Sequence, residues 1–217
     1  MIPKTIHQIW IGNNPISEEH KGFIQKWKEM YGDYTYVFWD NKRVDEENII
    51  PQRKHKYFYS NEYPIVLKAD ILRYEIVRQR GGIYIDIDAE PLRKMDDCML
   101  DCHFLGGRQS NNQVAIGIFG AEVGCSLLNE VSETIGDNIE KKLSERVPLT
   151  EIYLFTGPTF FDKVCEKYVG KDGYVFYPPK FFYPYWYEEM NRRNENFRVT
   201  CPDAYSVHHW AHSWKVV

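Results

Sequence analysis

Residues 65–92, IVLKADILRYEIVRQRGGIYIDIDAEPL, leave this chain few ways to fold. Val66, Ala69, Leu72, Arg73, Ile76 and Val77 recur at helical spacing, which predicts a helix from Ile65 to Arg80. Arg78 and Arg80 fall in its last turn, where cations suit the helix dipole. Gly81 and Gly82 stop it, because glycine accepts the left-handed cap conformation. A strand starting at Ile83 follows at once, so helix and strand are locked to one another. Strand side chains alternate, which places Ile83, Ile85 and Ile87 on a core face. Tyr84, Asp86 and Asp88 are then expected on the other face, with the strand stopping at Pro91. Adjacent carboxylates repel. A solvated face, a shared proton or a cation between them each relieves that, and for an arbitrary Asp-x-Asp the solvated face is the ordinary outcome.

The rest of the chain supplies the sheet. Thr5 to Ile11 reads as a short buried strand ended by Gly12-Asn13-Asn14-Pro15, and Ser17 opens a helix with an apolar stripe of Phe23, Ile24 and Trp27. Tyr34 to Trp39 is a second strand, rich in aromatics. Further strands are expected at His103 to Gly106, Val114 to Phe119 and Tyr174 to Tyr177. Helices are expected over Gly124 to Asn138 and from Thr156-Gly157-Pro158 onward. The order predicts an α/β class with a parallel sheet. In such sheets ligands bind beyond the carboxyl ends of strands, which is where Asp86 and Asp88 fall.

The 217 residues suit one domain, and a net charge of −4 gives no basic footprint for nucleic acid. No window approaches a membrane span, and the N-terminus lacks the character of a secretory signal. Five cysteines without a CxxC read as reduced thiols. Together these point to a cytoplasmic protein.

Two oxygens at the Asp86–Asp88 spacing suit a hard divalent cation such as Mg²⁺ or Mn²⁺. An EF-hand loop is set aside because Pro91 stands where glycine is required. A phosphatase of the haloacid dehalogenase type, with Asp86 as nucleophile, is a stronger rival. It calls for a hydroxyl residue where this chain has Glu90. Asp70 and Arg73 share a face of the preceding helix. In isolation they form a surface ion pair of little worth; near a metal-bound diphosphate Arg73 would stabilise developing charge. The ending YSVHHWAHSW crowds His208, His209 and His212 around Trp210, Ser213 and Trp214. His208 and His212 have helical i,i+4 spacing, so a zinc pair is open, without the HExxH pattern.

IPKTIHQIWIG at the start, LKADILRYEIVRQRGGIYIDIDAEPL in the middle and YSVHHWAHSW at the end resemble the DXD-motif sugar-binding glycosyltransferases. This is the group of the yeast initiating mannosyltransferase and many bacterial capsule and polysaccharide enzymes (glycosyltransferase family 32), more distantly similar to the glucosyltransferase domains of large clostridial toxins. Thr156-Gly157-Pro158 also matches. The resemblance implies a GT-A fold, a Rossmann-like mixed sheet flanked by helices, in one domain. Residues 1–120 would mainly bind a nucleotide-sugar, a UDP- or GDP-sugar. Residues 121–217 would form the acceptor side and a donor-closing tail. It implies Mn²⁺ or Mg²⁺, retention at the anomeric carbon, and a saccharide or lipid-linked acceptor, with peripheral association at the inner face of the membrane. By position, Trp10 would stack on the base, Asp70 and Arg73 would bind sugar and diphosphate, and Tyr84 and Asp86 would contact ribose and sugar. Asp88 would ligate the metal, with Asp86 reaching it through water and His208 adding a contact. Ser213 and Trp214 would close over the diphosphate. The family's asparagine before the GIFGAE strand is replaced here by Ala115 and Ile116, with Asn111 and Asn112 slightly upstream. A non-catalytic nucleotide-sugar binder would carry the same residues without turnover.

Overall fold

The computed structural model describes residues 1–211. The chain runs through β1 (Thr5–Ile9), α1 (Glu18–Met30), β2 (Thr35–Trp39), α2 (Asn41–Glu46), α3 (His55–Phe58), α4 (Ile65–Arg80), β3 (Gly82–Ile85) and β4 (Ala89–Pro91). It continues through β5 (Phe104–Arg108), β6 (Val114–Ala121), α5 (Ser126–Ser144), α6 (Ile152–Phe155), α7 (Pro158–Cys165), β7 (Tyr174–Tyr177), α8 (Phe197–Thr200) and β8 (Ser206–His208). Six strands form one sheet in the order β2-β1-β3-β6-β5-β7. β1 is parallel to β2 and β3, β7 is parallel to β5, and β6 runs antiparallel between β3 and β5. The sheet is therefore mixed, not wholly parallel. Its β5–β6 connection is a hairpin-length turn, which cannot join parallel neighbours.

Both faces of the sheet are covered. Tyr84 and Phe119 pack into one core with Leu72, Ile76 and Phe161, while Ile83, Ile85 and Ile118 pack into a second with Trp27 and Tyr183. Tyr84 thus lies on no solvated face. A central strand covered on both sides is apolar on both.

The α4–β3 junction is as abrupt as its glycines demand. Gly81 and Gly82 have φ of 64° and 96°. A Cβ on Gly82 would sit 2.7 Å from the Thr5 carbonyl oxygen. His7 braces the turn: its Nε2 lies 2.9 Å from the Gly81 carbonyl oxygen, while the Trp39 indole N–H donates to its Nδ1 at 3.1 Å.

The strand after the glycines is shorter than its alternation predicts. It ends at Ile85; the Asp86 amide makes the next bond, to the Gly117 carbonyl, and Ile87 and Asp88 form a turn. The chain then restarts as β4, which pairs with β8 in a separate two-stranded sheet. β4 ends at Pro91, its last residue, as expected. The alternation is local, but the partner that captures residues 89–91 comes from the far end of the chain.

Candidate active site

β3 delivers Asp86 to the carboxyl edge of the sheet, the following turn delivers Asp88, and β8 delivers His208 beside them. His208 Nε2 lies 3.3 Å from Asp86 Oδ2 and 3.2 Å from Asp88 Oδ1. One ligand atom from each of the three residues falls within 4.8 Å of the others. Asp88 Oδ2 accepts the Ala211 amide at 2.9 Å. Burial opposes charge on His208, but Asp88 and Asp86 outweigh it and push the imidazole up to about 10. Burial likewise opposes charge on Asp88, yet the His208 ring and the Ala211 amide hold its carboxyl well below the usual range. The aspartates and His208 thus meet in one cluster, where positive charge relieves the repulsion between the two carboxylates.

The same three residues fit a divalent metal ion. Two carboxylates and one imidazole nitrogen are a donor set for a divalent cation. Space is kept beside them by Gly117, where a Cβ would meet Asp86 Oδ2 at 2.9 Å and the His208 ring at 3.0 Å.

Asp70 and Arg73 on α4 form the layer beneath. Both are buried, so they are no surface pair. Arg73 Nη1 donates to Asp86 Oδ1 and to the Ile116 carbonyl, each at 3.0 Å, and Nη2 stands 3.2 Å from Asp70 Oδ1. Its guanidinium lies 4.7 Å from the centre of the Tyr84 ring. The Tyr84 hydroxyl donates to Asp86 Oδ1 at 2.5 Å. Tyr84 is wholly buried and reaches the site through Asp86. Thr156 Oγ1 donates to Asp70 Oδ2 at 2.8 Å, whereas Asp70 Oδ1 is buried without a hydrogen bond. Burial raises the Asp70 carboxyl to about 6, against the opposing pull of Arg73 and Thr156.

These groups border a cavity of about 460 Å³, lined by Asp70, Arg73, Asp86, Asp88 and His208 on its polar side. Trp10 borders it too, with its indole N–H donated to the Asn14 carbonyl at 2.7 Å. Val66, Ile116, Ile152, Tyr153 and Pro158 form an apolar wall. Ile87 also faces this cavity and not the core with Ile83 and Ile85, because the turn has rotated it away. Seven of the nine residues expected at the site are thereby placed. Ser213 and Trp214 lie outside the described residues, as does His212.

One expectation changes: His208 belongs to a strand and not a helix, and its proposed partner His212 lies outside the described residues. The upstream asparagines sit in the β5–β6 turn, where the Asn111 side chain bonds Gln113 and Asn112 has a φ of 68°. Ile116 lines the cavity in their stead. His209 is a packing residue: its ring stacks on Phe23 at 5.1 Å and its Nε2 pairs with Glu90 at 3.2 Å. Of the aromatic run from Phe181, Phe182, Tyr183 and Tyr185 are core residues. Sequence reasoning gave no role to Gly117 or to the Thr156 hydroxyl. The Thr-Gly-Pro triplet was the one signal for the second.

Residues 17–105 match the sequence model of a glycosyltransferase sugar-binding region containing a DXD motif. The chain is 32% identical over 171 residues to the mannosyl phosphorylinositol ceramide synthase CSH1 of Saccharomyces cerevisiae, covering 77% of this chain and 43% of that protein. It is 29% identical to inositol phosphoceramide mannosyltransferase 2 of Schizosaccharomyces pombe, covering 77% and 47%. Over 99% of its length and 84% of the other it is 26% identical to an uncharacterized glycosyltransferase, L373, of Acanthamoeba polyphaga mimivirus. The chain thus spans less than half the length of the two yeast relatives. Among solved structures, the ligand-free glycosyltransferase domain of the YGT toxin superposes with a TM-score of 0.59 at 12% identity, over 81% of this chain and 80% of that one. The PaToxG glycosyltransferase gives 0.57 at 18%, over 77% and 70%.

Proposed function

This chain belongs to the glycosyltransferases whose sugar-binding region contains a DXD motif and has their GT-A fold, and from that premise we propose that it is a metal-dependent, retaining hexosyltransferase using a nucleotide-sugar donor. The observation that carries the reading is the meeting of Asp86, Asp88 and His208 at the wall of one cavity with Asp70, Arg73 and Trp10. Relatives named as a mannosyl phosphorylinositol ceramide synthase and an inositol phosphoceramide mannosyltransferase support a mannosyl donor and a lipid-linked acceptor. A saccharide acceptor in capsule or polysaccharide synthesis is the other outcome of an acceptor screen. No helix among the described residues is long and apolar enough to cross a membrane.

Asp86, Asp88 and His208 would hold the cation. When bound, Mn²⁺ or Mg²⁺ supplies Lewis-acid stabilisation of the leaving diphosphate. Trp10 offers an aromatic face for the base, and Asp70 a carboxylate for a sugar hydroxyl. Arg73 spends its hydrogen bonds on the protein's own oxygens. It serves the donor as a fixed positive charge beside the diphosphate and by holding Asp70 and Asp86 in place. The apolar wall excludes water, which strengthens each of these interactions. Residues 1–120 would carry most of this donor site; residues 121–217 supply Ile152, Tyr153 and Pro158 of the wall, His208 and the tail bearing Ser213 and Trp214, which would close over the donor.

The test is a panel of UDP-, GDP- and other nucleotide-sugars with Mn²⁺, read by thermal shift and by nucleotide release. Metal-dependent release from one donor, rising with an acceptor, is expected. Hydrolysis of simple phosphate esters through a phosphoaspartate at Asp86 would overturn the reading in favour of a phosphatase, and donor binding without any turnover would leave a binding protein.

A further inference from the structure

We propose that Thr156 is the positioning residue of the donor site: its hydroxyl fixes one oxygen of Asp70 while Arg73 holds the other, which sets the carboxylate at the cavity wall for the donor. The inference rests on the reading of this cavity as a donor site. Asp70 is 1% exposed. Its Oδ2 accepts from Thr156 Oγ1 at 2.8 Å, Oδ1 stands 3.2 Å from Arg73 Nη2, and the residue lines the cavity. A buried carboxylate is costly unless its oxygens are held by donors, so removing the Thr156 hydroxyl changes how Asp70 is held at the cavity wall.

The segment that presents Thr156 is built to hold it. The Asn138 side chain donates to the carbonyls of Leu154 and Phe155 at 2.9 and 2.7 Å. The Tyr74 hydroxyl donates to the Thr156 carbonyl at 2.8 Å. Gly157 lets the turn close, since a Cβ there would meet the Tyr153 Cα at 2.7 Å. The carbonyl is thus tied to α4 by Tyr74 and the side chain to α4 by Asp70. The same loop supplies Ile152, Tyr153 and Pro158 to the cavity wall. One hydrogen bond therefore sets both the Asp70 rotamer and the wall's distance from α4. The charged groups facing Asp70 are Arg73 on its own helix and Asp86 from the end of β3. Neither can replace the Thr156 donor at Oδ2: Arg73 approaches Oδ1, and Asp86 is an acid.

Thr156→Val keeps the shape and removes the donor; Thr156→Ser keeps the donor. In the metal-free full chain, carboxyl-carbon NMR titration should show the Asp70 carboxyl moving up in Thr156→Val and unchanged in Thr156→Ser, with Asp70→Asn identifying the signal. With the nucleotide-sugar that the wild type turns over, kcat/KM should fall about tenfold in Thr156→Val, mainly through a higher donor KM, and stay within about twofold in Thr156→Ser. An unmoved Asp70 titration, or equal losses in both variants that follow thermal stability alone, overturns the proposal. A wild type that turns over no nucleotide-sugar refutes the donor-site reading instead, and the NMR comparison still decides whether Thr156 governs Asp70.

Discussion

His208 Nε2 stands 3.2 Å from Asp88 Oδ1 because antiparallel pairing of β8 with β4 sets His208 opposite Ala89, the residue after Asp88. Both aspartates and the imidazole are thereby placed to share one cation. Asp88→Asn keeps an acceptor for the Ala211 amide but removes one charged ligand. The variant should fold, lose the Mn²⁺-induced rise in Tm, and lose more than about 100-fold in transfer. Full Mn²⁺-dependent activity in Asp88→Asn would remove Asp88 from the metal site.

Gly117 gives a steric test of the same cluster that changes no charge. A Cβ there would press on Asp86 Oδ2 and the His208 ring at once. Gly117→Ala should weaken Mn²⁺ binding about 10- to 100-fold, the range seen when supports of metal ligands are lost. Its Tm without metal should fall by only a few degrees. Calorimetry with Mn²⁺ on the purified variant reads this directly, and unchanged affinity would show that Asp86 and His208 do not bind the ion together.

How far the sequence foretold this site depends on how local each signal was. The α4 helix, the glycine stop and the strand after it are written within one stretch, and α4 occupies its expected bounds, Ile65–Arg80. Asp70 and Arg73 share a helix face by spacing alone, so their meeting was legible, while their burial was not. Burial depends on α6 and α7 packing over α4, a long-range matter. The break after Ile85 was illegible for the same reason. Alternation continues through Ile87 and Asp88, and only β8 pulls the chain out of register. His208 shows the limit of pattern reading: its spacing to His212 fits a helix, but the backbone chooses a strand because β4 offers an edge. Ala115 and Ile116 were flagged as departures, yet nothing local foretold that the Ile116 carbonyl would bind Arg73.

Arg73 holds the donor layer together, which makes its removal a question of stability as well as activity. Asp70 and Asp86 would both lose their cation, one of them wholly buried. Arg73→Met should cost about 3–5 kcal/mol in urea unfolding, the usual penalty for an unpaired buried charge. Arg73→Lys restores charge without the planar fork, which here divides its donors among Asp70, Asp86 and the Ile116 carbonyl. It should recover part of the stability and little of the activity. Equal stability of Arg73→Met and wild type would show that burial, not Arg73, sets the state of these carboxylates.

His7 makes the α4–β3 junction sensitive to acid. Burial lowers the imidazole to about 4 from its ordinary 6.5, and the Trp39 N–H at Nδ1 requires the neutral ring. The unfolded chain therefore binds the proton more readily than the folded one. Stability from this group is complete above about pH 6.5 and is lost as pH falls toward 4. The full difference is worth about 3 kcal/mol, of which about 2 kcal/mol is lost by pH 5. His7→Gln offers an amide donor to the Gly81 carbonyl and an acceptor to Trp39 but does not titrate. Between pH 7 and pH 5 the wild type should lose about 2 kcal/mol more than this variant in chemical denaturation. Parallel pH profiles for the two proteins would show that the ring carries no acid sensitivity.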